Sequence, residues 1–110
     1  MNNYIVGDKD KTLFLGYNDD HGIYYTTDNI GGASFFPDII GAKRLIKETK
    51  VDNKEEVSRL IDNYEYQKEN WSLDTNAVAY AKQIMDEIII RKELTDNAVI
   101  YQVEFILKEV

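Results

Sequence analysis

Three neighbouring residues in the first third of the chain carry side chains that often bind metals or transfer protons. Asp19, Asp20 and His21 lie in the stretch LGYNDDHGIYYTT, and His21 is the only histidine of the chain. Consecutive side chains in extended backbone diverge, so they rarely converge on one ion. A zinc site would need a further His or Cys ligand, and the chain contains no cysteine. The trio is therefore predicted to form the tip of a β-hairpin, without metal.

A second pattern, in PDIIGAKRLIKETK, matches the letters of a nuclease signature. Asp38 after Pro37, followed by Glu48 and Lys50, reproduces PD…ExK, in which the acids bind a divalent ion and the lysine stabilises charge at the scission site. That chemistry requires neighbouring strands, whereas the intervening residues have helical period, which would separate Asp38 from Glu48 by about 15 Å. A Pro-Asp helix start and a basic helix end explain the same letters. A divalent-metal nuclease is kept only as a third alternative.

One acidic helix pattern points to binding. Asp62, Glu65 and Glu69 recur at helical spacing, with neighbours ~5–6 Å apart, which resembles the spacing of phosphates along a DNA strand. Tyr66 and Trp71, on or just after the same helix, are of the type that anchors protein interfaces. This combination predicts a surface for a protein with a basic face, such as a nucleic-acid-binding protein. The alternative is a solvated helix face.

Strand alternation suggests another binding surface. If Leu15 and Tyr25 face the helices, then Phe14 and Tyr24 are expected on the outer face of the sheet together with Ile100. An apolar patch there would mark a partner or dimer surface. The alternative is that the loop DNIGGASFF covers this face.

The elements that must position these residues follow from the hydrophobic pattern. A period of two predicts three short strands before residue 28 and a long strand over 98–110, and helical spacing predicts three helices between them. The helices are expected to begin near Pro37, near Asp52 or Asn53, and after Asp74. The predicted fold is an α+β two-layer sandwich with an N-terminal antiparallel meander of three short strands, three helices and a C-terminal strand that returns to the sheet.

Composition narrows the function classes. Apolar residues make up 44% and charged residues 30% of the chain, which is typical of a globular domain, and residues 1–110 are expected to form a single one. The net charge of −7 argues against direct binding of nucleic acid and favours a basic protein partner. No segment is apolar enough for a membrane span or a signal sequence, so a cytoplasmic location is predicted. Charge is reversed locally between residues 37 and 51, where Lys43, Arg44, Lys47 and Lys50 outnumber the acids.

The opening YIVGDKDKTLFLGYNDDHGIYYTTDNIGGASFF resembles small proteins encoded by phages and prophages of low-GC Gram-positive bacteria. The resemblance covers about the first third of the chain. It implies a class that includes anti-CRISPR and other host-takeover proteins, which are small and acidic, need no cofactor and act by binding. The chain is thus expected to be a non-enzymatic DNA-mimicking inhibitor of a host protein such as a CRISPR effector. A homodimeric structural or regulatory protein that associates through the outer sheet face is the alternative.

Overall fold

A computed structural model of the chain describes residues 3–70 and 75–104, with only the backbone described at 63, 64, 67–70, 75–78 and 81. Within these residues the chain forms four strands and two α-helices. They are β1 (Asn3–Gly7), β2 (Phe14–Asn18), β3 (Ile23–Thr27), α1 (Ile39–Asn70), α2 (Thr75–Asp96) and β4 (Val99–Val103), and a 3₁₀ turn spans Ile30–Gly32.

The four strands form one antiparallel sheet in the order β3-β2-β1-β4. The α+β class stands, but the predicted fold is wrong in detail. The described residues contain two α-helices where three were expected, and one four-stranded sheet where a three-stranded meander with a returning strand was expected. Strand β4 pairs with β1 over Asn3–Gly7, so β1 lies between β2 and β4, and β4 is an edge strand of the sheet.

Helix α1 is a single helix of 32 residues, about 48 Å long. It begins at Ile39 because the Asp38 carboxylate accepts the backbone N–H of Gly41 at 2.8 Å, which makes Asp38 the N-cap. The predicted helix start near Asp52 or Asn53 is wrong, because neither glycine nor proline occurs between Ala42 and Asn70 to end the first helix. The predicted cap of the last helix, Asp74, lies outside the described residues.

One face of the sheet packs against the helices. Val6 and Leu15 in the two central strands are fully buried against Ala42 and Leu45 of α1 and Leu94 of α2. Burial of such side chains contributes about 1.5–3 kcal/mol each. This core fixes the two helix ends that are next to the sheet.

The other sheet face is covered by the loop between β3 and α1. Ala33 from that loop is buried with Ile5 and Phe14, and Tyr101 and Val103 pack at the edge of this second cluster. The loop also enters the sheet where β1 and β2 separate, because the backbones of Phe36 and Tyr4 exchange two hydrogen bonds of 2.8 and 2.9 Å. The sheet is therefore covered on both faces.

The two helices extend well beyond the sheet. The longest dimension of the molecule is 61 Å against 31 and 28 Å for the other two, and the radius of gyration is 17.0 Å, where about 13 Å is typical of a compact chain of this length. We call residues 54–70 of α1 and 75–90 of α2 the helical arm. Across the described part of the chain, neither helix has an apolar stretch long enough to cross a bilayer.

Candidate functional site

A buried polar network joins the helical arm to the sheet. Arg91 of α2, which is 5% exposed, forms an ion pair of 2.8 Å with the Asp52 carboxylate and donates its Nε–H to the side-chain oxygen of Asn53. The Asn53 amide in turn donates to the Thr95 hydroxyl at 2.9 Å. Two α1 residues and two α2 residues are thus tied together at one level of the helix pair.

The same arginine also reaches the sheet. A guanidinium N–H of Arg91 donates to the backbone carbonyl of Tyr24 in β3 at 2.8 Å. Among the described side chains, none has a buried nitrogen or oxygen without a hydrogen-bond partner. A buried charge is costly unless it is paired, and here one guanidinium bonds to a carboxylate, an amide and a carbonyl at once. The network therefore sets the direction in which the helices leave the sheet.

Sequence reasoning missed this network, although a signal was present. Ile84 and Ile88 follow the helical spacing of the buried stripe on α2, and the next positions of that stripe are Arg91 and Thr95. A charged residue on an apolar stripe indicates a buried partner. Asn53 was interpreted as a helix cap because Asn is common at helix starts.

Beyond the network, the helical arm has only a thin apolar seam. None of the described side chains of the arm is fully buried, because the buried residues of the described chain lie within residues 5–53 and 91–95. Along the seam the apolar side chains are half-buried, as for Val57 and Leu60 on α1 and Ile84 and Ile88 on α2. Ile61 is 40% exposed and Tyr80 67% exposed. Among the arm side chains that the structure describes, apolar surface is therefore left exposed.

The predicted acidic stripe lies on the outer surface of the arm. The side chains of Asp62 and Glu65 are exposed, and Tyr66 beside them is 57% exposed. Glu69 is one turn further along α1, where only the backbone is described, and Trp71 lies outside the described residues. The structure thus places three of the five residues predicted on this helix at one solvent-facing site.

A basic stripe occupies the other half of α1. Lys43, Lys47, Lys50 and Lys54 are all exposed and follow each other at intervals of four, three and four residues, which places them along one side of the helix. None of them has an acid three or four residues away, and none forms an ion pair with a carboxylate of the described residues. Like charges at this spacing destabilise a helix. The basic stripe is therefore an uncompensated feature in a chain with a net charge of −7.

An open groove of about 490 Å³ lies between β3 and the sheet end of α1, where Tyr24, Glu48 and Asp52 meet Arg44 and Lys47. Burial, together with the negative charge of Glu48, raises the pKa of Tyr24 above its ordinary value. The phenol therefore stays protonated at neutral pH. The groove offers both signs of charge, and in it the Tyr24 hydroxyl donates to a carboxylate oxygen of Glu48 at 3.5 Å.

The residues that could carry chemistry by type and spacing lie at separate places in the fold. Asp19, Asp20 and His21 are exposed in the turn between β2 and β3, as predicted for a hairpin tip, and Gly22 closes the turn with a φ of +63°. Asp38 caps α1, and Glu48 lies ten residues further along the same helix. Among residues 3–70 and 75–104, no three His, Cys, Asp or Glu side chains are grouped so that they could hold a metal ion.

The expected apolar patch on the outer sheet face is not formed. Phe14 is on that face, but it is 3% exposed because the loop carrying Ala33 covers it. Tyr24 lies on the opposite face, since it pairs with Tyr17, and their ring centres are 4.6 Å apart. The turn holds four residues between the paired Asn18 and Ile23, which pairs Tyr25 with Gly16 and not with Leu15, and a shift of one residue exchanges the two faces of a strand. Phe14 and Tyr24 therefore do not share a surface.

No family model matches the chain, and neither the curated proteins nor the solved structures contain a match to it.

Proposed function

We propose that the chain is a non-enzymatic binding protein that engages another protein through its helical arm. The observation that supports this most is the arm itself. It extends beyond the sheet, its described side chains are at most half-buried, and it carries exposed apolar and acidic residues. A helix pair that needs no partner would bury its apolar seam under a further layer.

The chemistry of the surface indicates the kind of partner. Asp62 and Glu65 provide negative charge, Tyr66 provides a large amphipathic side chain, and Ile61 provides apolar area next to them. Aromatic anchors among charges of one sign are typical of interfaces formed with a complementary surface. The partner surface is therefore basic. An inhibitor of a nucleic-acid-binding host protein, the class implied by the resemblance of residues 4–36, would use the surface in this way.

The proposal can be tested by photo-crosslinking from the arm. Tyr66 is replaced by a photoreactive phenylalanine analogue, and the protein is irradiated in a host lysate at low and high salt. We expect a discrete adduct that weakens at high salt, because screening reduces attraction between exposed charges. The same analogue at Tyr101, which packs on the sheet and donates its hydroxyl to the Asp8 carbonyl at 2.5 Å, is the control.

Charge reversal completes this test. The double substitution of Asp62→Lys and Glu65→Lys in the photoreactive protein should abolish the adduct without changing the far-ultraviolet circular dichroism, since both side chains are exposed. An adduct that persists after charge reversal would contradict the assignment of the acidic residues to the interface. Equal labelling from Tyr66 and Tyr101 would contradict the role of the arm.

A further inference from the structure

The charges on α1 are arranged so that the helix is complementary to itself in the antiparallel direction. We propose that two copies of the chain pair through α1, antiparallel, about a two-fold axis at Ser58. This inference rests on the proposed function of the arm and names a second copy as its partner. It differs from association through the sheet face, because that face is covered.

The complementarity follows from residue numbers. In an antiparallel pair with its axis at residue 58, two facing positions have numbers that add up to twice 58. Lys54 then faces Asp62 of the second copy, and Lys47 faces Glu69. Each pair occurs twice, because an isologous interface uses the same patch on both subunits. Two lysines of the basic stripe, Lys47 and Lys54, which have no acid three or four residues away on their own helix, thereby obtain acidic partners.

The centre of this surface has room for close approach. Ser58 is small and exposed, and half-buried Val57 and exposed Ile61 lie beside it. A groove of about 460 Å³ next to the axis is lined by Val57 together with Lys50 and Lys54. By the same rule, Ile61 of the second copy faces Glu55, one residue after Lys54.

The size of the surface sets the expected affinity. From Lys47 to Glu69 the helix is about 33 Å long, and two helices in contact share a strip about 10 Å wide. Such a strip falls below the roughly 1,200 Å² of total buried surface that stable complexes need. We therefore expect a weak dimer that is populated only at high protein concentration and low salt. Its affinity should fall about tenfold between 20 and 300 mM salt, because its charge pairs are exposed.

The test is a charge-swap experiment with purified protein, followed by sedimentation equilibrium. One variant combines Lys47→Glu with Lys54→Glu, and the other combines Asp62→Lys with Glu69→Lys. Each variant alone should be monomeric, because like charges face each other, and an equimolar mixture should form a one-to-one dimer. A variant with Lys9→Glu and Lys82→Glu changes the net charge as much as the first variant but leaves α1 intact, and it should dimerise like the unaltered protein.

The axis is tested separately by a disulfide. Since the chain contains no cysteine, Ser58→Cys introduces a single thiol. Two such thiols meet at the proposed axis and should be oxidised to a covalent dimer at least tenfold faster than the thiols of an Asp10→Cys control, which is exposed in the turn after β1.

Three results would overturn the inference. They are a monomer at 500 μM and 20 mM salt, a dimer that survives charge reversal, and equal oxidation rates of the two cysteine variants. Failure of the broader proposal is distinguishable, because the lysate adducts from Tyr66 are measured independently. A monomeric protein that still forms a salt-sensitive adduct with a different protein refutes the homodimer and leaves the binding function of the arm in place.

Discussion

The Arg91 network is the structural feature whose removal should change stability most clearly. Arg91→Ala removes an ion pair with Asp52 and the donors to Asn53 and to the Tyr24 carbonyl. Breaking a buried ion pair by removing one partner costs about 3–5 kcal/mol. The Asp52 side chain is 33% exposed, so water compensates part of that loss. Asn53 is 2% exposed, and its side-chain oxygen would lose the hydrogen bond from Arg91. An unsatisfied buried acceptor lowers the free energy of unfolding by about 1–3 kcal/mol.

Together these effects give an expected loss of about 3 kcal/mol in the free energy of unfolding. With an m-value of about 1.5 kcal/mol/M, the urea midpoint measured by circular dichroism should fall by about 2 M. Arg59→Ala is a matched control, since Arg59 is also a helix arginine paired with a carboxylate, that of Glu56, but its side chain is 71% exposed. Its effect on stability should be much smaller than that of Arg91→Ala, because exposed ion pairs contribute little. If the two variants lose equal stability, the network does not hold the arm to the sheet.

Two further predictions concern the sheet and its first turn. Phe14→Ala should reduce the free energy of unfolding by about 3–5 kcal/mol, because the residue is 3% exposed. Ile23→Ala, at a residue that is 54% exposed, should reduce it by less than about 1 kcal/mol. Both losses are measured by urea titration, and similar losses would mean that the loop does not cover Phe14. Burial alone would raise the pKa of Asp8, but hydrogen bonds from the Thr12 hydroxyl and from the Thr12 backbone N–H hold that pKa below its ordinary value. Thr12→Val removes the hydroxyl and should raise the pKa of Asp8, as measured by an NMR titration of the carboxyl group. Because the pKa of Asp8 is lowered in the folded state, the stability that the Thr12 hydroxyl contributes is present at neutral pH and is lost as the pH falls through the pKa of Asp8. A stability difference between the unaltered protein and Thr12→Val that does not depend on pH would contradict this assignment.

The local patterns determined the kinds of element and several of their ends. The alternation around the Asp19–Gly22 turn predicts the hairpin, and the helical spacing predicts helices on both sides of Trp71. Short-range chemistry is sufficient for these features, because side-chain period and turn residues act within a few positions. The exposed positions of Asp62 and Glu65 also follow from helical spacing alone.

The tertiary structure decided what the local patterns left open. Asn53 has the side chain of a helix cap, but it lies inside α1, where its side-chain oxygen accepts a hydrogen bond from Arg91, a residue 38 positions away in the chain. The faces of Phe14 and Tyr24 depend on a register that one residue in the turn reverses. Long-range pairing of this kind has no periodic signal in the sequence.

The sequence by itself determined a charged, mostly helical second half and a short-stranded first half, because composition and period are local properties. Only the tertiary structure decided that the two halves of α1 have different surroundings. Its first turns rest on a sheet core, and its remainder extends into solvent with lysines at one end and acids at the other. The physical reason is that five-residue strands cover only the beginning of a helix about 48 Å long.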